Sequence, residues 1–358
     1  MTERRVLHVL PHAGAGAQTY IDVLAALDGF RFGIFELSAS RSRVAAAAAS
    51  IARRRPALLR AARHADLIHV HGEVASLSTL ALLARHRSVV TLHGLHLVRR
   101  LPAGVPARLG QAGLGAIVAA AAATICVSQA ERDELSWLSS RLRTKLVVVR
   151  NGLSLPTRAD PGLRERVRAS LGLDESAVAV LYVGQLEPRK DPLTALRAVQ
   201  RARLADPRIV LLIAGTGPCA GTLRSLAGDE ARLLGQRADV ADLLAAADVF
   251  VMPSRREGLS YAILEAMGHG VATVVSDGPG NPEAVGDAGL VFPAGDADRL
   301  ASLLSGLACD GARRAALAEA GRRRIATELS GTRMLRETKA VYEAALREPG
   351  RLDGEPPA

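Results

Sequence analysis

Cysteine and aromatic residues are scarce in this chain, and both absences narrow its function. The three cysteines, Cys126, Cys219 and Cys309, lie far apart and form no Cys-x-x-Cys pair. This spacing argues against a disulfide framework or a structural zinc site and fits a reducing compartment. Aromatic residues make up only 3% of the chain, which leaves few platforms for stacking bases, and no DNA-binding motif occurs. We therefore expect a cytoplasmic protein without a nucleic-acid partner.

Long apolar runs are missing as well. Residues 6–10 contain a histidine and are too few for the apolar region of a secretion signal. Residues 109–127 carry no charge and consist largely of Ala and Gly, which barely favour lipid. A buried helix followed by a strand explains this run better than a membrane-spanning helix.

The excess of basic charge belongs to the amino-terminal half. Residues 1–160 carry 21 Lys and Arg against 10 Asp and Glu, whereas residues 161–358 carry 25 against 26. This asymmetry indicates an anionic partner for the first half, either a charged acceptor or a lipid surface. Residues 53–63 combine basic side chains with an apolar stripe, as interfacial helices do, and an ordinary solvated helix fits equally well. Peripheral binding to the inner face of the plasma membrane is therefore one expectation.

Short β-branched runs alternate with helical segments along the whole chain. Six strands are predicted in each half, at 6–10, 32–37, 67–70, 89–92, 124–127 and 146–149, then at 178–183, 209–214, 232–234, 249–252, 271–275 and 290–292. Helices are predicted at 19–27, 45–62, 77–85, 106–122, 129–138, 192–205, 240–246, 261–268 and 298–307. This α/β alternation with short connections predicts parallel sheets with right-handed crossovers.

The pattern divides into two doubly wound, Rossmann-like domains. We predict an amino-terminal domain over residues 1–155 and a carboxyl-terminal domain over 172–330. The segment between them is rich in turn residues and carries one predicted helix at 163–171. A last helix, 332–347, is expected to pack back on the first domain. The tail 348–358 is predicted to be disordered because it consists of Pro, Gly and charged residues.

Two glutamates eight residues apart, Glu257 and Glu265, surround the start of a predicted helix. The strand 249–252 precedes them, and Gly258 lies in the intervening loop. A strand, a glycine-containing loop and a helix form the place where open α/β sheets bind phosphorylated ligands. Eight helical residues rise about 12 Å, so one carboxylate is expected at the helix mouth and the other two turns deeper. This span suits a nucleotide sugar, whose hexose and ribose flank a diphosphate.

Further loops end strands at the same edge of the second sheet. Lys190 is one of three lysines beside 43 arginines, and a compact ammonium at this edge suits a diphosphate. The loop 215–218 (GTGP) ends the next strand. Glu283 follows the strand 271–275 and is either a residue of the same rim or a carboxylate that meets a helix dipole.

In the first half, a loop and two histidine pairs follow predicted strands. Gly16 lies in the Gly/Ala loop 11–18, where backbone amides at a helix start favour an anion, although tight packing explains such glycines as well. Histidines end two strands, at His69-Val70-His71 and at His93-Gly94-Leu95-His96. Three clustered histidines are a possible zinc ligand set, but no carboxylate accompanies them, so we expect no metal. We expect His93 to bond a substrate hydroxyl or carbonyl and His69 to lie in the core.

Taken together, the motifs resemble the family-4 retaining glycosyltransferases of the GT-B fold, in which a cleft separates two Rossmann-like domains. The resemblance covers nearly the whole chain, is strongest from 182 to 295 and is looser around Gly16 and His93. The matching pieces are, in order, Asn151-Gly152, Gly184-x-Leu-x-Pro-x-Lys190, Gly215-Thr216-Gly217-Pro218, Pro253-Ser254-x-x-Glu257-Gly258, Glu265-Ala266-Met267 and Gly280-Asn281-Pro282-Glu283.

The resemblance implies transfer of a hexosyl unit from a UDP- or GDP-hexose to an acceptor hydroxyl, with retention at the anomeric carbon and without metal or cofactor. It assigns the donor ribose to Glu265 and the transferred hexose to Glu257 and His93. It assigns the diphosphate to Lys190 and to the backbone amides near Gly16 and Leu259, and it adds Gly217 and Gly258 to the donor-binding residues. In this scheme the first domain binds the acceptor and the second binds the nucleotide sugar.

One position departs from the family pattern. An arginine usually follows the glycine of the first turn of the second domain, and Gln185 stands there in this chain. Either Arg189 reaches the phosphates instead, or donor binding depends more on Lys190 and helix dipoles.

Two other functions fit parts of the sequence. A nucleotide-sugar 2-epimerase has a similar two-domain fold, but acidic catalysts would be expected in the first domain, which offers mainly Glu73 and histidines. A non-catalytic protein that binds a sugar nucleotide or a lipid surface is the second alternative. The sequence leaves the acceptor open among a glycan, a lipid-linked molecule and a small molecule.

Overall fold

The computed structural model describes residues 3–11, 15–37, 44–95, 104–155, 160 and 162–347, without the side chains of 15–17 and 44–52. The chain divides into two compact units, which are described separately. The first unit comprises residues up to Asn151 and those from Gly331 onward, and the second comprises Gly152–Ser330.

The first unit is built on a six-stranded parallel sheet in the order β2-β1-β3-β4-β5-β6. Its strands are β1 (Arg4–Leu10), β2 (Phe30–Glu36), β3 (Leu67–His71), β4 (Ser88–Thr91), β5 (Ala123–Cys126) and β6 (Leu146–Val148). Its helices are α1 (Ala15–Leu24), α2 (Val44–Ala62), α3 (Glu73–Ser78), α4 (Leu80–Leu83), α5 (Val105–Ala120), α6 (Gln129–Asp133), α7 (Ser140–Arg143) and α16 (Gly331–Arg347). Every residue of β3 and β4 is buried, as expected for parallel strands covered on both faces.

The second unit repeats this plan in the strand order β12-β11-β10-β7-β8-β9. Its strands are β7 (Val178–Val183), β8 (Ile209–Ala214), β9 (Ala231–Gly235), β10 (Val249–Met252), β11 (Ala272–Ser276) and β12 (Leu290–Phe292). Its helices are α8 (Leu163–Ser170), α9 (Pro192–Arg203), α10 (Ala220–Leu226), α11 (Val240–Ala246), α12 (Tyr261–Gly268), α13 (Asn281–Val285), α14 (Ala297–Cys309) and α15 (Gly311–Thr327), with a 3₁₀ turn at Gly286–Ala288. The strand order reverses between β7 and β10, and ligands of doubly wound sheets bind at such a reversal.

The predicted strands are all present, each within two residues of its expected bounds. The predicted helix at 77–85 is wrong, because the chain forms α3 and α4 with a break at Thr79, whose hydroxyl donates to Ala75 O at 2.8 Å. Helices α7, α10 and α13 were not predicted, and the four residues of α7 and the five of α13 are too few to show a helical period. Residues 109–127 form the end of α5 and then β5, and no helix among the described residues has the length and apolarity to span a bilayer.

The helix α8, predicted as part of the segment between the domains, belongs to the second unit, which therefore begins at Gly152 instead of 172. Its attachment is electrostatic. Asp248, at the foot of β10, lies 2.7 Å from Arg164 and 3.2 Å from the buried Arg168, and it accepts the Ala179 amide at 2.8 Å. The turn-rich composition of the segment gave no indication of this contact, because Asp248 is 80 residues from Arg168 in the sequence.

We expect the Asp248→Ala substitution to lower the free energy of unfolding by about 3–5 kcal/mol, since it leaves the buried Arg168 guanidinium without its carboxylate. Urea unfolding measures the loss. The matched control is Asp298→Ala, which removes an ion pair with Arg201 from a side chain that is 82% exposed and should cost about 1 kcal/mol or less. Equal losses in the two variants would contradict this role of Asp248.

The last helix, α16, is part of the first unit. It buries Met334, Val341 and Tyr342, and the Tyr342 hydroxyl lies 2.6 Å from His69 Nδ1 on β3. The tail predicted to be disordered, 348–358, lies outside the described residues.

Candidate functional site

Two loops of the second unit leave the sheet at the strand reversal. The first follows β7 and runs from Gly184 to Lys190, and the second follows β10 and runs from Pro253 to Leu259. Because β7 and β10 are parallel neighbours, their carboxyl ends meet at one edge of the sheet. This placement brings the predicted residues Arg189, Lys190 and Glu257 together.

A buried ion pair joins the two loops. Lys190 Nζ lies 2.7 Å from Glu257 Oε1, and a guanidinium nitrogen of Arg189 lies 3.7 Å from the same oxygen. Burial by itself raises the pKa of Glu257, but the charges of Lys190 and Arg189 and hydrogen bonds from Lys190 and Ser254 outweigh it, so the pKa is lowered. Glu257 is therefore ionised at neutral pH, next to two cations at the point where an anionic ligand would bind.

Further bonds fix the spacing of these loops. Arg255 donates its backbone amide to Arg189 O at 2.9 Å, and its side chain lies 2.9 Å from Asp191 Oδ2. Asp191 has φ +48°, a left-handed conformation that aspartate tolerates better than most residues. Arg189 also donates to Arg256 O at 3.3 Å, so its guanidinium braces the loop that carries Glu257.

The loop that carries Glu257 and Gly258 rests directly on backbone. A Cβ atom at Gly280, where φ is +85°, would lie 1.8 Å from Gly258 O, and the Glu257 amide donates to Pro279 O at 3.1 Å. Asn281 Nδ2 donates to Ser276 Oγ at 2.9 Å and to Ser254 O at 3.2 Å. Only glycine fits at position 280, which explains the predicted motif around it.

The loop with Gly217 also rests directly on backbone. Leu186 donates its amide to Thr216 O at 2.9 Å, and a Cβ atom at Gly217 would come within 2.6 Å of Leu186 O. Gly217 thus supports the loop after β7 by close backbone approach, and contact with the donor stays a prediction for it.

The predicted spacing of the two glutamates along one helix is wrong. The helix α12 begins at Tyr261, so Glu257 lies in the loop before it and Glu265 lies about one turn inside. The residues Gly258 and Leu259 are buried between them. The helix was predicted at 261–268 and these bounds are confirmed, but the expected rise of two turns wrongly counted the loop residues 257–260 as helical.

Glu265 has an unusually high pKa for a carboxylate. Burial raises its pKa to about 7, and within the described ranges no cation or hydrogen-bond donor contacts its side chain. The ionised carboxylate is the form that accepts hydrogen bonds from hydroxyls with its full charge, and Glu265 is mostly ionised only above about pH 7.

If Glu265 binds the donor ribose, donor affinity should rise with pH. Between pH 6 and pH 8 the ionised fraction of a group with a pKa of about 7 increases about tenfold, and the donor KM should fall by up to that factor. Steady-state kinetics at both pH values measures it. In Glu265→Gln, KM should be higher and the same over this range, and a pH dependence that survives the substitution would assign the titration to another group.

The first unit contains a chain of buried histidines. His71 Nδ1 lies 3.0 Å from His93 Nε2, and His71 Nε2 lies 2.8 Å from His8 Nδ1. His69 contacts Thr91 Oγ1 at 2.7 Å and Tyr342, and it is fully buried, as expected. Desolvation lowers the pKa of His93 to about 4 and that of His8 to about 3, so both rings are neutral at pH 7.

The sequence missed two members of this chain. The third histidine that completes the cluster is His8 on β1, which pairs in register with His69 on β3. Once the pairing of β1 with β3 is known, the positions of His8 and His69 in the sequence indicate that the two residues are neighbours. Tyr342 comes from α16, 273 residues from its partner, and nothing local indicates that contact.

The ring nitrogens of His8, His69 and His71 lie within 4.8 Å of one another and form a group of metal-ligand type. Both nitrogens of His69 and both of His71 already lie within hydrogen-bond distance of a protein partner. A metal ion here would displace these bonds, so the expectation of a metal-free protein stays a prediction.

The remaining predicted residues also belong to the first unit. Gly16 lies in the first turn of α1, one turn before Tyr20, and the Tyr20 ring meets the His93 ring edge-on at 4.8 Å. The other residues of the predicted loop, 12–14, and His96 lie outside the described residues.

The two six-stranded parallel sheets, each with its own strand reversal, are those of the GT-B fold. The solved structure of Anabaena HepE in complex with UDP and glucose matches 94% of this chain and 99% of its own, with a TM-score of 0.75 and 18% sequence identity.

Sequence comparison gives the family. Residues 20–155 match glycosyltransferase family 4, and residues 177–310 match the model described as glycosyl transferases group 1. An alpha-maltose-1-phosphate synthase of Mycobacterium tuberculosis is 31% identical over 318 residues, which are 79% of this chain and 80% of that protein. A GDP-mannose-dependent monoacylated alpha-(1-6)-phosphatidylinositol monomannoside mannosyltransferase of Corynebacterium glutamicum is 36% identical over 187 residues, about half of each chain. The chain belongs to the family-4 glycosyltransferases.

Proposed function

We propose that this glycosyltransferase moves a hexosyl unit from a nucleoside-diphosphate hexose to an acceptor hydroxyl, with retention at the anomeric carbon and without a metal or cofactor. The observation that carries the proposal is the Lys190–Glu257 pair, held at 2.7 Å where the sheet of the second unit reverses. The GDP-mannose dependence in the name of one relative and the UDP bound to a structural neighbour support this class of donor.

Each part of the donor has a partner in this scheme. The ammonium of Lys190 and the backbone amide at Leu259 hold the diphosphate, and Glu265 accepts hydrogen bonds from the ribose hydroxyls. In the first unit, the Gly16 amide at the start of α1 is proposed to bind an anionic group. Glu257 accepts hydrogen bonds from hydroxyls of the hexose, because it is held ionised and buried. Arg189, unlike Lys190, also donates to the backbone at Arg256 O, so we assign it to the support of the loop that carries Glu257 and leave the diphosphate to Lys190.

The reaction follows from charge that develops on the leaving diphosphate. The bond from the anomeric carbon to the phosphate oxygen breaks, the acceptor oxygen bonds to that carbon on the same face, and the acceptor proton passes to the departing phosphate oxygen. Lys190 stabilises the departing charge, and Glu257 positions the hexose. In the first unit, the neutral His93 is proposed to bond a substrate hydroxyl or carbonyl. This route requires no protein nucleophile.

A two-stage experiment tests the proposal. A thermal-shift panel of UDP, GDP, ADP and their hexoses identifies the donor, because a tight ligand raises the melting temperature. NMR of the product with an acceptor then gives the anomeric configuration. Retained configuration supports the proposal. An epimerised donor in the absence of acceptor would support the 2-epimerase, and binding without turnover for every acceptor would support the non-catalytic protein.

The acceptor is proposed to be a glycan, a lipid-linked molecule or a small molecule, reached in the cytoplasm. The exposed side of α2 favours an anionic membrane surface for it, since Arg53, Arg54, Arg55, Leu59 and Arg60 are all exposed there. Co-sedimentation with vesicles that contain phosphatidylserine should exceed that with phosphatidylcholine alone. Equal binding to the two vesicles would remove the membrane from the proposal.

A further inference from the structure

The loop after β4 holds His93 in an unfavourable backbone conformation. His93 has φ +59° and the next residue, Gly94, has φ +92°, so two successive residues are left-handed. Such a conformation costs a residue with a Cβ about 1–2 kcal/mol and persists only where surrounding contacts impose it. The conformation decides where the imidazole of His93 points.

The contact that imposes it is a buried carboxylate. Glu131 on α6 is 1% exposed, accepts the Gly94 amide with one oxygen and accepts the Val127 amide at 2.7 Å with the other. The loops after β4 and β5 are therefore tied through one side chain. Bonds of backbone amides to a carboxylate are about twice as strong as bonds between neutral groups.

The backbone of Glu131 is held by the amino-terminal cap of α6. Its backbone amide donates to Ser128 Oγ at 3.1 Å, which caps the start of α6 and sets the direction of the side chain. After burial, its negative charge contributes to the raised pKa values of Tyr20 and Cys126, and the Tyr20 ring meets the His93 ring edge-on.

We infer that Glu131 is a positioning residue for His93: it holds the Gly94 amide, imposes the left-handed turn and so aims the imidazole, while His71 fixes the ring from behind. The inference rests on the proposed function, because it assigns Glu131 a role in sugar transfer through His93. A residue that acted only on stability would leave the orientation of this ring and the rate of the folded enzyme unchanged.

A double-mutant cycle tests this coupling. Glu131→Gln keeps one acceptor but turns an NH₂ group toward one of the two amides, and it should lower kcat by about ten- to a hundredfold with little change in the donor KM. In the His93→Ala background the same change should lower kcat less than twofold, because the group it positions is gone. Asp133→Asn, on the exposed side of the same helix, is the matched control and should leave kcat unchanged.

A second measurement does not depend on activity. In protein labelled with ¹⁵N-histidine, the ring signals of His93, assigned by their loss in His93→Ala, should shift in Glu131→Gln while those of His269 in the second unit stay in place. Unchanged His93 signals, or an equal fall in kcat in both backgrounds, would overturn the inference. If the wild-type chain transfers no sugar from any donor, the proposed function fails, and the ring signals alone decide whether Glu131 positions His93.

Discussion

Replacing Lys190 with glutamine should lower kcat by about 10²- to 10³-fold, the range observed when one preorganised donor to a developing anion is removed. The ammonium lies at the carboxyl ends of β7 and β10, 2.7 Å from the carboxylate assigned to the hexose. The neighbouring guanidinium groups of Arg189 and Arg255 have other partners, since Arg189 donates to Arg256 O and Arg255 lies 2.9 Å from Asp191. Kinetics with the donor selected by the thermal-shift panel measures the effect.

The loss must be separated from unfolding, since removing one partner of a buried ion pair destabilises a protein by about 3–5 kcal/mol. The double variant Lys190→Gln with Glu257→Gln removes both charges and should recover stability without recovering activity. The matched control is Lys339→Gln, which replaces another of the three lysines of the chain. Lys339 lies on α16, and this variant should keep full activity. If Lys190→Gln and Glu257→Gln each keep full turnover while folded, the assignment of the site is wrong.

The second large effect is expected from one methyl group. Gly280→Ala places a Cβ atom 1.8 Å from Gly258 O and 2.9 Å from Glu257 O at a φ of +85°, so the loop with Glu257 must move. A displacement of about 1 Å in a positioning group costs on the order of 10²-fold in rate, and we expect kcat to fall by that factor. The altered backbone should also lower the free energy of unfolding by about 1–3 kcal/mol.

The control for this change is Gly306→Ala. Position 306 lies inside α14 with no heavy atom within 4 Å of the added Cβ, so the substitution should stabilise the helix by about 0.5–1 kcal/mol and leave kcat unchanged. Urea unfolding and steady-state kinetics of both variants give the comparison. Wild-type kinetics in Gly280→Ala would show that the loop tolerates displacement and that the close approach has no bearing on the site.

The strands were predictable because each is a short run of β-branched or aliphatic residues between turn residues, and burial on both faces makes such runs continuous. Helix ends were harder. The break at Thr79 depends on backbone geometry that composition does not report. The attachment of α8 depended on Asp248, a residue far along the chain.

The candidate site divides in the same way. Residues that follow strands were readable, since every parallel strand delivers its next loop to one edge, and this placed Lys190 and Glu257 together. Partners fixed by tertiary packing were not readable. The Asp191–Arg255 pair, the contact of His8 with His71 and the bond from Gly94 to Glu131 each join separate strands or loops, and no local period marks them.

A crystal structure of the wild-type protein with the nucleoside-diphosphate hexose selected by the thermal-shift panel tests the central claim most directly. The account predicts that the diphosphate lies within about 3 Å of Lys190 Nζ, that the ribose hydroxyls contact Glu265 and that the hexose contacts Glu257. A nucleotide bound elsewhere, with Lys190 and Glu257 still paired only to each other, would contradict it.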